Sequence, residues 1–432
     1  MPIEEVMNKE QKLKVSKMAE TLIASEIIKL AGEINEKIKK GEKIYNLTIG
    51  DFDPKIFPIP KKFEDEIVKA YRNNLTNYPP ADGLLETRQA VSNFIASRQG
   101  LKYNPANEIL IAAGARPLIY ASYQTLVQPG DTVIFPVPSW NNNHYSHLSH
   151  ANKIEVIATP ENNFMPTADD IKSHINGASL ISLCSPLNPT GTVFKRSQLE
   201  DICTLILEEN KKRSEDEKPL YLMYDQIYWV LTFGDTEHYD PVSLIPEMRN
   251  YTVFIDGLSK AFAATGVRVG WSFGPAYVIN KMKSILSHLG AWAPKAEQAA
   301  TANYISDTEL VDSYLSKFKN EVHSRLEGFY KGFMDLKSEG HRVNAIAPQA
   351  AIYLTVQFEL HGMKKDDGSI LTTTKDITKY ILEEAHVAIV PFSAFGDTDN
   401  STWYRLSVGT CRLDEVEKVI NSLKKALKKL KI

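Results

Sequence analysis

Apolar positions along this chain follow two rhythms. Over residues 17–40, Ile23, Ile27, Leu30, Ile34 and Ile38 recur at helical spacing with Lys and Glu between them, which predicts an amphipathic helix. Pro54, Pro58 and Pro60 then interrupt the passage from Asn46 to Pro60, and no continuous helix survives prolines so placed. That passage reads as a crossing between two domains. From about 61 to 310, short apolar runs alternate with helical ones. Ile109–Ala113, Thr132–Pro136, Lys153–Ile157, Leu180–Cys184, Leu220–Asp225, Val253–Asp256 and Val267–Phe273 read as strands. Pro117–Val127, Ser197–Asn210 and Asn280–Leu289 read as helices between them.

Such alternation predicts an α/β fold with a mostly parallel sheet flanked by helices, over residues 61–310. Residues 311–432 predict a smaller α+β unit: a long charged helix from Asp312 to Lys337, strands at Ala351–Gln357, Val387–Pro391 and Tyr404–Val408, and an amphipathic helix over Asp414–Leu430. Residues 1–60 are expected to join that smaller domain. The charge cluster at 211–218 reads as a solvated loop.

Composition narrows the classes. Fifty Lys and Arg against fifty-three Asp and Glu give a net charge of -3 over 432 residues, which argues against a polyanion binder and against nucleic acid as a partner. With 43% hydrophobic and 24% charged residues, the chain has the balance of a soluble globular protein. No apolar run is long enough to span a membrane, and the N-terminus has no apolar targeting segment. Cys184, Cys203 and Cys411 lie far apart with no CxxC, so a disulfide framework is not expected and a reducing, cytoplasmic setting is.

Ligands of open parallel sheets bind beyond the carboxyl ends of the strands, so the residues just past each strand carry the candidate chemistry. Gly114-Ala115-Arg116-Pro117 lies past the first and opens a helix, a place where free N–H groups hold an anion, although an ordinary turn fits as well. Trp140 lies past the second; it suits a core position or a stacking platform. Ser185-Pro186-Leu187-Asn188-Pro189-Thr190-Gly191 is a rigid turn that presents the Asn188 amide. Asp225 ends a buried strand, where a carboxylate is costly without a cation beside it. Lys260 stands at another strand end in a nearly apolar run, a setting more typical of a nucleophile than of surface decoration. Arg268 lies eight residues on.

Taken together, Asn188-Pro189-Thr190-Gly191, Asp225-x-x-Tyr228 and Ser259-Lys260-(x)7-Arg268 resemble the fold-type I pyridoxal-phosphate enzymes, specifically the class I/II aminotransferases. Order, spacing and strand-end placement agree over about residues 45–415. The resemblance implies pyridoxal 5'-phosphate as cofactor and transfer of an amino group from an amino acid to a 2-oxo acid, by a ping-pong route through pyridoxamine phosphate. It implies that Lys260 forms the Schiff base and moves the proton, and that Asp225 pairs with the pyridine nitrogen. Asn188 and Tyr228 would bond the ring oxygen, and Trp140 would stack on the ring. The phosphate would fall to Gly114, Ala115, Arg116, Ser259 and Arg268. Tyr78 would reach the phosphate of a neighbouring subunit, so a homodimer is implied. Arg405 would bind the substrate α-carboxylate, with Gly50 and Asn188 beside the substrate.

Two departures stand out. Gln226 occupies a position that is usually acidic in that family. The segment Ser287–Glu297 offers no arginine for a side-chain carboxylate, which puts a dicarboxylate pocket in doubt unless Lys295 or a residue elsewhere substitutes. Trp292 and Ile23 are alternative linings of an apolar pocket, Ile23 reading more simply as a core residue. No metal is expected: His144, His147 and His150 are three apart but no Asp, Glu or Cys joins them at ligand spacing. An α,β-eliminating C–S lyase would use the same residues, and a non-catalytic cofactor-sensing regulator is a remoter reading.

Overall fold

The computed structural model describes residues 15–22 and 26–431. Its largest sheet has seven strands: β2 (Ile109–Ala112), β3 (Thr132–Val137), β4 (Asn152–Ile157), β5 (Ala178–Cys184), β6 (Tyr221–Asp225), β7 (Thr252–Gly257) and β8 (Gly270–Phe273), ordered β2-β8-β7-β6-β5-β3-β4. All run parallel except β8, which is antiparallel to both neighbours. The central strands β5 and β7 are buried almost end to end, as expected where helices cover both faces. Two apolar clusters pack this sheet, one drawn from residues between Phe63 and Leu315 and one from residues between Leu110 and Leu286.

A second sheet joins β9 (Val343–Ala345), β10 (Tyr353–Phe358), β12 (Val390–Pro391) and β13 (Trp403–Ser407) in the antiparallel order β12-β13-β10-β9. A short parallel pair, β1 (Tyr45–Asn46) with β11 (Val387–Ala388), ties the early chain to this late segment. Leu47, Phe52 and Phe57 accordingly pack with apolar residues between Phe318 and Leu430 in one cluster, which also takes in Ile227, Tyr228, Leu231 and Phe233. The mostly parallel α/β architecture is as expected.

Several expected elements differ. The strand expected at Val267–Phe273 starts only at Gly270, because Arg268 has φ 62°. Gly270 then permits a close approach: a Cβ there would lie 2.8 Å from the Ala115 nitrogen. The run Val387–Pro391 is two short strands in different sheets. The helix expected over 17–40 is Lys17–Thr21 and Glu26–Lys39, and Ile23 lies outside the described residues. The charge cluster at 211–218 is more than a solvated loop. The helix runs on to Lys212, Arg213 bonds Glu209 and the Ala178 and Lys218 carbonyls, and Lys218 pairs with Asp131.

Candidate active site

Three neighbouring strands of the large sheet deliver the chemistry beyond their carboxyl ends. Cys184 at the end of β5 is in register with Asp225 at the end of β6, and β7 runs directly into the short helix Leu258–Ala261 that carries Lys260. Beyond these ends lies a cleft of about 640 Å³. Gly50, Ala115, Arg116, Trp140, Asn188, Asp225, Tyr228, Ser259, Lys260, Arg268 and Arg405 all line it. They come from segments near both ends of the chain as well as its middle, so their convergence is a product of the fold.

Lys260 donates from Nζ to the Gly50 carbonyl at 2.6 Å. Burial pulls its amine down to about 8; the Asp51 carboxylate opposes this, while Arg405, Arg116 and Arg268 reinforce it. An amine so placed is partly neutral near physiological pH and hence nucleophilic. Asp225 is bonded by the Ile227 N–H at 3.0 Å and has no cationic partner among the described residues. Burial pushes its carboxyl up to about 6, against that bond.

On the opposite wall, Arg405 on β13 donates from Nη1 to Asn188 at 2.9 Å and from Nη2 to the Thr48 carbonyl at 2.6 Å. Its Nε is buried without a partner, which leaves donor capacity for a carboxylate. Burial lowers the guanidinium's pKa, offset by Tyr353 and Tyr228. Gly50 is required here by space: a Cβ would lie 2.8 Å from the Tyr353 hydroxyl.

An anion cradle adjoins. Gly114, with φ 90°, precedes the helix Ala115–Leu126, whose first N–H groups have no side-chain cap. A Cβ on Gly114 would collide with Arg268 Nη2. Arg268 is held by the Thr265 and Ala113 carbonyls, both at 2.7 Å. Ser259 stands close by in the same cleft. Arg116 makes no ion pair among the described residues; its guanidinium lies over the Trp140 ring at 4.6 Å. Arg116 thus occupies one face of the Trp140 ring.

These residues fit pyridoxal phosphate. A half-buried amine would meet an aldehyde, a half-buried carboxylate would meet a ring N–H, and a helix start with an arginine would meet a phosphate.

Gly114 stands behind the cleft lining, where it makes room for Arg268. Tyr78 is not part of the lining. It is 81% exposed and sits edge-on to Trp292 at 5.2 Å. Lys295 donates to Asn77 at 2.8 Å, so it braces the Tyr78 loop. Gln226 is fully buried and exchanges two hydrogen bonds with Gln99, away from the cleft, so the departure at this position leaves the lining untouched. His147 bonds the Met18 carbonyl and Thr21, and no metal-holding cluster occurs among the described residues.

Sequence reasoning missed Asp51, Thr265 and Tyr353. Thr265 donates to Asp51 at 2.7 Å, which holds that carboxylate near Lys260. Asp51 adjoins the noted Gly50 and could have been found from it. Tyr353 carried no signal, since a tyrosine on an apolar strand reads as core.

The family model for aminotransferase class I and II matches residues 42–423. An aspartate aminotransferase of Bacillus sp. (strain YM-2) is 29% identical over 411 residues, covering 94% of this chain and 97% of that protein. Among solved structures, the Rhizobium meliloti aspartate aminotransferase superposes with a TM-score of 0.87 at 23% identity, over 97% of this chain and all of that one. The Thermus thermophilus aspartate aminotransferase with maleate gives 0.84 at 25% identity, over 96% and 100%. Neither an eliminating lyase nor a cofactor-sensing regulator is favoured by these likenesses. The chain belongs to the class I and II aminotransferases: it is a pyridoxal-phosphate-dependent transaminase that moves an amino group from an amino acid to a 2-oxo acid.

Proposed function

We propose that the amino donor of this transaminase carries an acidic side chain. The observation behind this reading is Arg116. Of the four cleft cations, Lys260 suits the cofactor aldehyde, Arg268 the phosphate and Arg405 the α-carboxylate. Arg116 is left over, in the cleft and without an acid partner among the described residues. A second carboxylate on the substrate would satisfy it. The relatives named above are aspartate aminotransferases, and one was solved with the dicarboxylate maleate. The arginine absent from Ser287–Glu297 is thus replaced from a different segment.

In this reading the bound cofactor supplies an aldehyde and an electron-withdrawing ring. Lys260 holds it, then takes and returns the substrate Cα proton. Asp225 keeps a positive charge on the ring nitrogen through a buried charge-assisted hydrogen bond. Asn188 and Tyr228 would bond the ring oxygen, and Trp140 would stack on the ring. Arg405 fixes the α-carboxylate and so orients the Cα–H bond towards Lys260. Residues 61–310 form the large cofactor-binding domain; 1–60 and 311–432 form the small one. Because Arg405 and Gly50 come from the small domain and Lys260 from the large, substrate bridges the two. Two copies form a homodimer in which each Tyr78 serves the partner's site. The free thiols Cys184, Cys203 and Cys411 favour the cytoplasm.

A half-reaction screen tests the donor. Loss of the visible cofactor absorbance is followed with aspartate, glutamate, alanine and leucine, for the wild type and Arg116→Gln. Aspartate and glutamate should react best, and the variant should lose about 100-fold on these two with little change on alanine. Equal losses on all four donors would contradict the assignment.

A further inference from the structure

Beside Tyr228 in the cleft lining is a second phenol, Tyr353. The Tyr228 and Tyr353 hydroxyls lie 2.6 Å apart, both residues being at most 3% exposed. Tyr353 belongs to β10 of the small sheet, and Tyr228 comes just after β6 of the large one. The groups facing Tyr353 are few: Arg405 from β13 lies over its ring at 4.7 Å, Tyr228 adjoins its hydroxyl, and Cys184 and Asp51 are the remaining titratable neighbours. Arg405 is a donor only and lies over the ring face.

We propose that Tyr353 is a positioning residue, whose hydroxyl proton is donated to Tyr228 so that the Tyr228 proton points at the cofactor. Each phenol has a single proton. If Tyr228 directs its own to an acceptor in the cleft, the short bond between the pair has only the Tyr353 proton left to fill it. A phenol that accepts a hydrogen bond is also a stronger donor, because linked hydrogen bonds polarise one another. Gly50 guards the arrangement, since any side chain there would meet the Tyr353 hydroxyl. The link joins the two sheets, so the hold on the cofactor depends on where the small sheet sits.

This inference rests on the assignment of Tyr228 to the cofactor ring oxygen, and the experiment separates the two. Enzyme loaded with pyridoxal phosphate is titrated with alkali, and the midpoint of its visible absorbance change is compared among four proteins: wild type, Tyr228→Phe, Tyr353→Phe and the double variant. A lost donor to the ring oxygen should raise the midpoint, by about one pH unit for Tyr228→Phe. Tyr353→Phe should raise it by about half a unit, the worth of one hydrogen bond. The double variant should move no further than Tyr228→Phe alone. Gly50→Ala should raise the midpoint too, which keeps the test open if Tyr353→Phe folds poorly. A Tyr353→Phe or Gly50→Ala midpoint equal to wild type, or a double variant showing the sum of both shifts, overturns the role of Tyr353 and leaves Tyr228 in place. An unmoved Tyr228→Phe overturns both.

Discussion

Asn188 and Arg405 join the two sheets through one hydrogen bond, Nη1 to Oδ1 at 2.9 Å. Asn188 lies in the turn after β5, and Arg405 is 2% exposed in the middle of β13. The bond orients the guanidinium fork before any substrate arrives. Arg405→Lys keeps the charge and loses the fork. Steady-state kinetics should show KM for the amino acid rising on the order of 100-fold, with a smaller fall in kcat. An unchanged KM would mean that the α-carboxylate binds elsewhere.

Asp225 costs stability when no cofactor is bound. Its folded-state carboxyl titrates at about 6, above the ordinary 3.8, because burial disfavours the charge. Between those values the folded protein keeps a proton that the unfolded chain releases, so stability falls as pH rises through that window. The full cost above pH 6 is about 3 kcal/mol. Cofactor-free Asp225→Asn should therefore be more stable than wild type at pH 8 by up to about that amount. At pH 4 the two should nearly coincide. Urea unfolding at both pH values decides it, and a wild type that is the more stable at pH 8 would refute the account. The same variant, loaded with cofactor, should lose most of its turnover.

Gly114→Ala tests the anion cradle. The new Cβ would fall on Arg268 and also meet an unfavourable φ of 90°. Affinity for pyridoxal phosphate, measured by fluorescence titration of the cofactor-free protein, should fall at least about tenfold through loss of an arginine contact. Unaltered affinity would place the phosphate away from the Ala115 helix.

Tyr78 makes the dimer testable. It is exposed and does not line its own chain's cleft. Tyr78→Phe and Lys260→Ala subunits, each weakly active alone, are mixed under conditions that permit exchange. One site of a mixed dimer then has its own Lys260 and an intact Tyr78 from its partner. Activity should partly recover. No recovery, with exchange verified, would mean that Tyr78 does not serve the other subunit.

Much of the large sheet was legible because its strands are nearly continuous apolar runs, and the residues after them are polar in ways that burial makes expensive. Asp225 and Lys260 stood out on that ground alone. The features that escaped were set by tertiary contact. Arg268 sits in a left-handed conformation, fixed by the nearby Thr265 carbonyl and by the Ala113 carbonyl from a distant segment, so a strand pattern ran past the true start of β8. Val387–Pro391 has one apolar rhythm but pairs with two different partners, which periodicity does not encode. The sequence offered Arg116 as a phosphate contact, and only the fold places it over Trp140 in the cleft.

Lys260 is, at the centre of this account, the amine that holds the cofactor, and trapping it covalently tests this most directly. Enzyme incubated with pyridoxal phosphate is reduced with borohydride, digested and mapped by mass spectrometry. Lys260 is half-buried in the cleft, and its amine is partly neutral near pH 8, so the reduced adduct should appear on the peptide containing Lys260 and nowhere else. Lys260→Ala, still folded, should yield none. An adduct on any other lysine of the native enzyme would contradict the account.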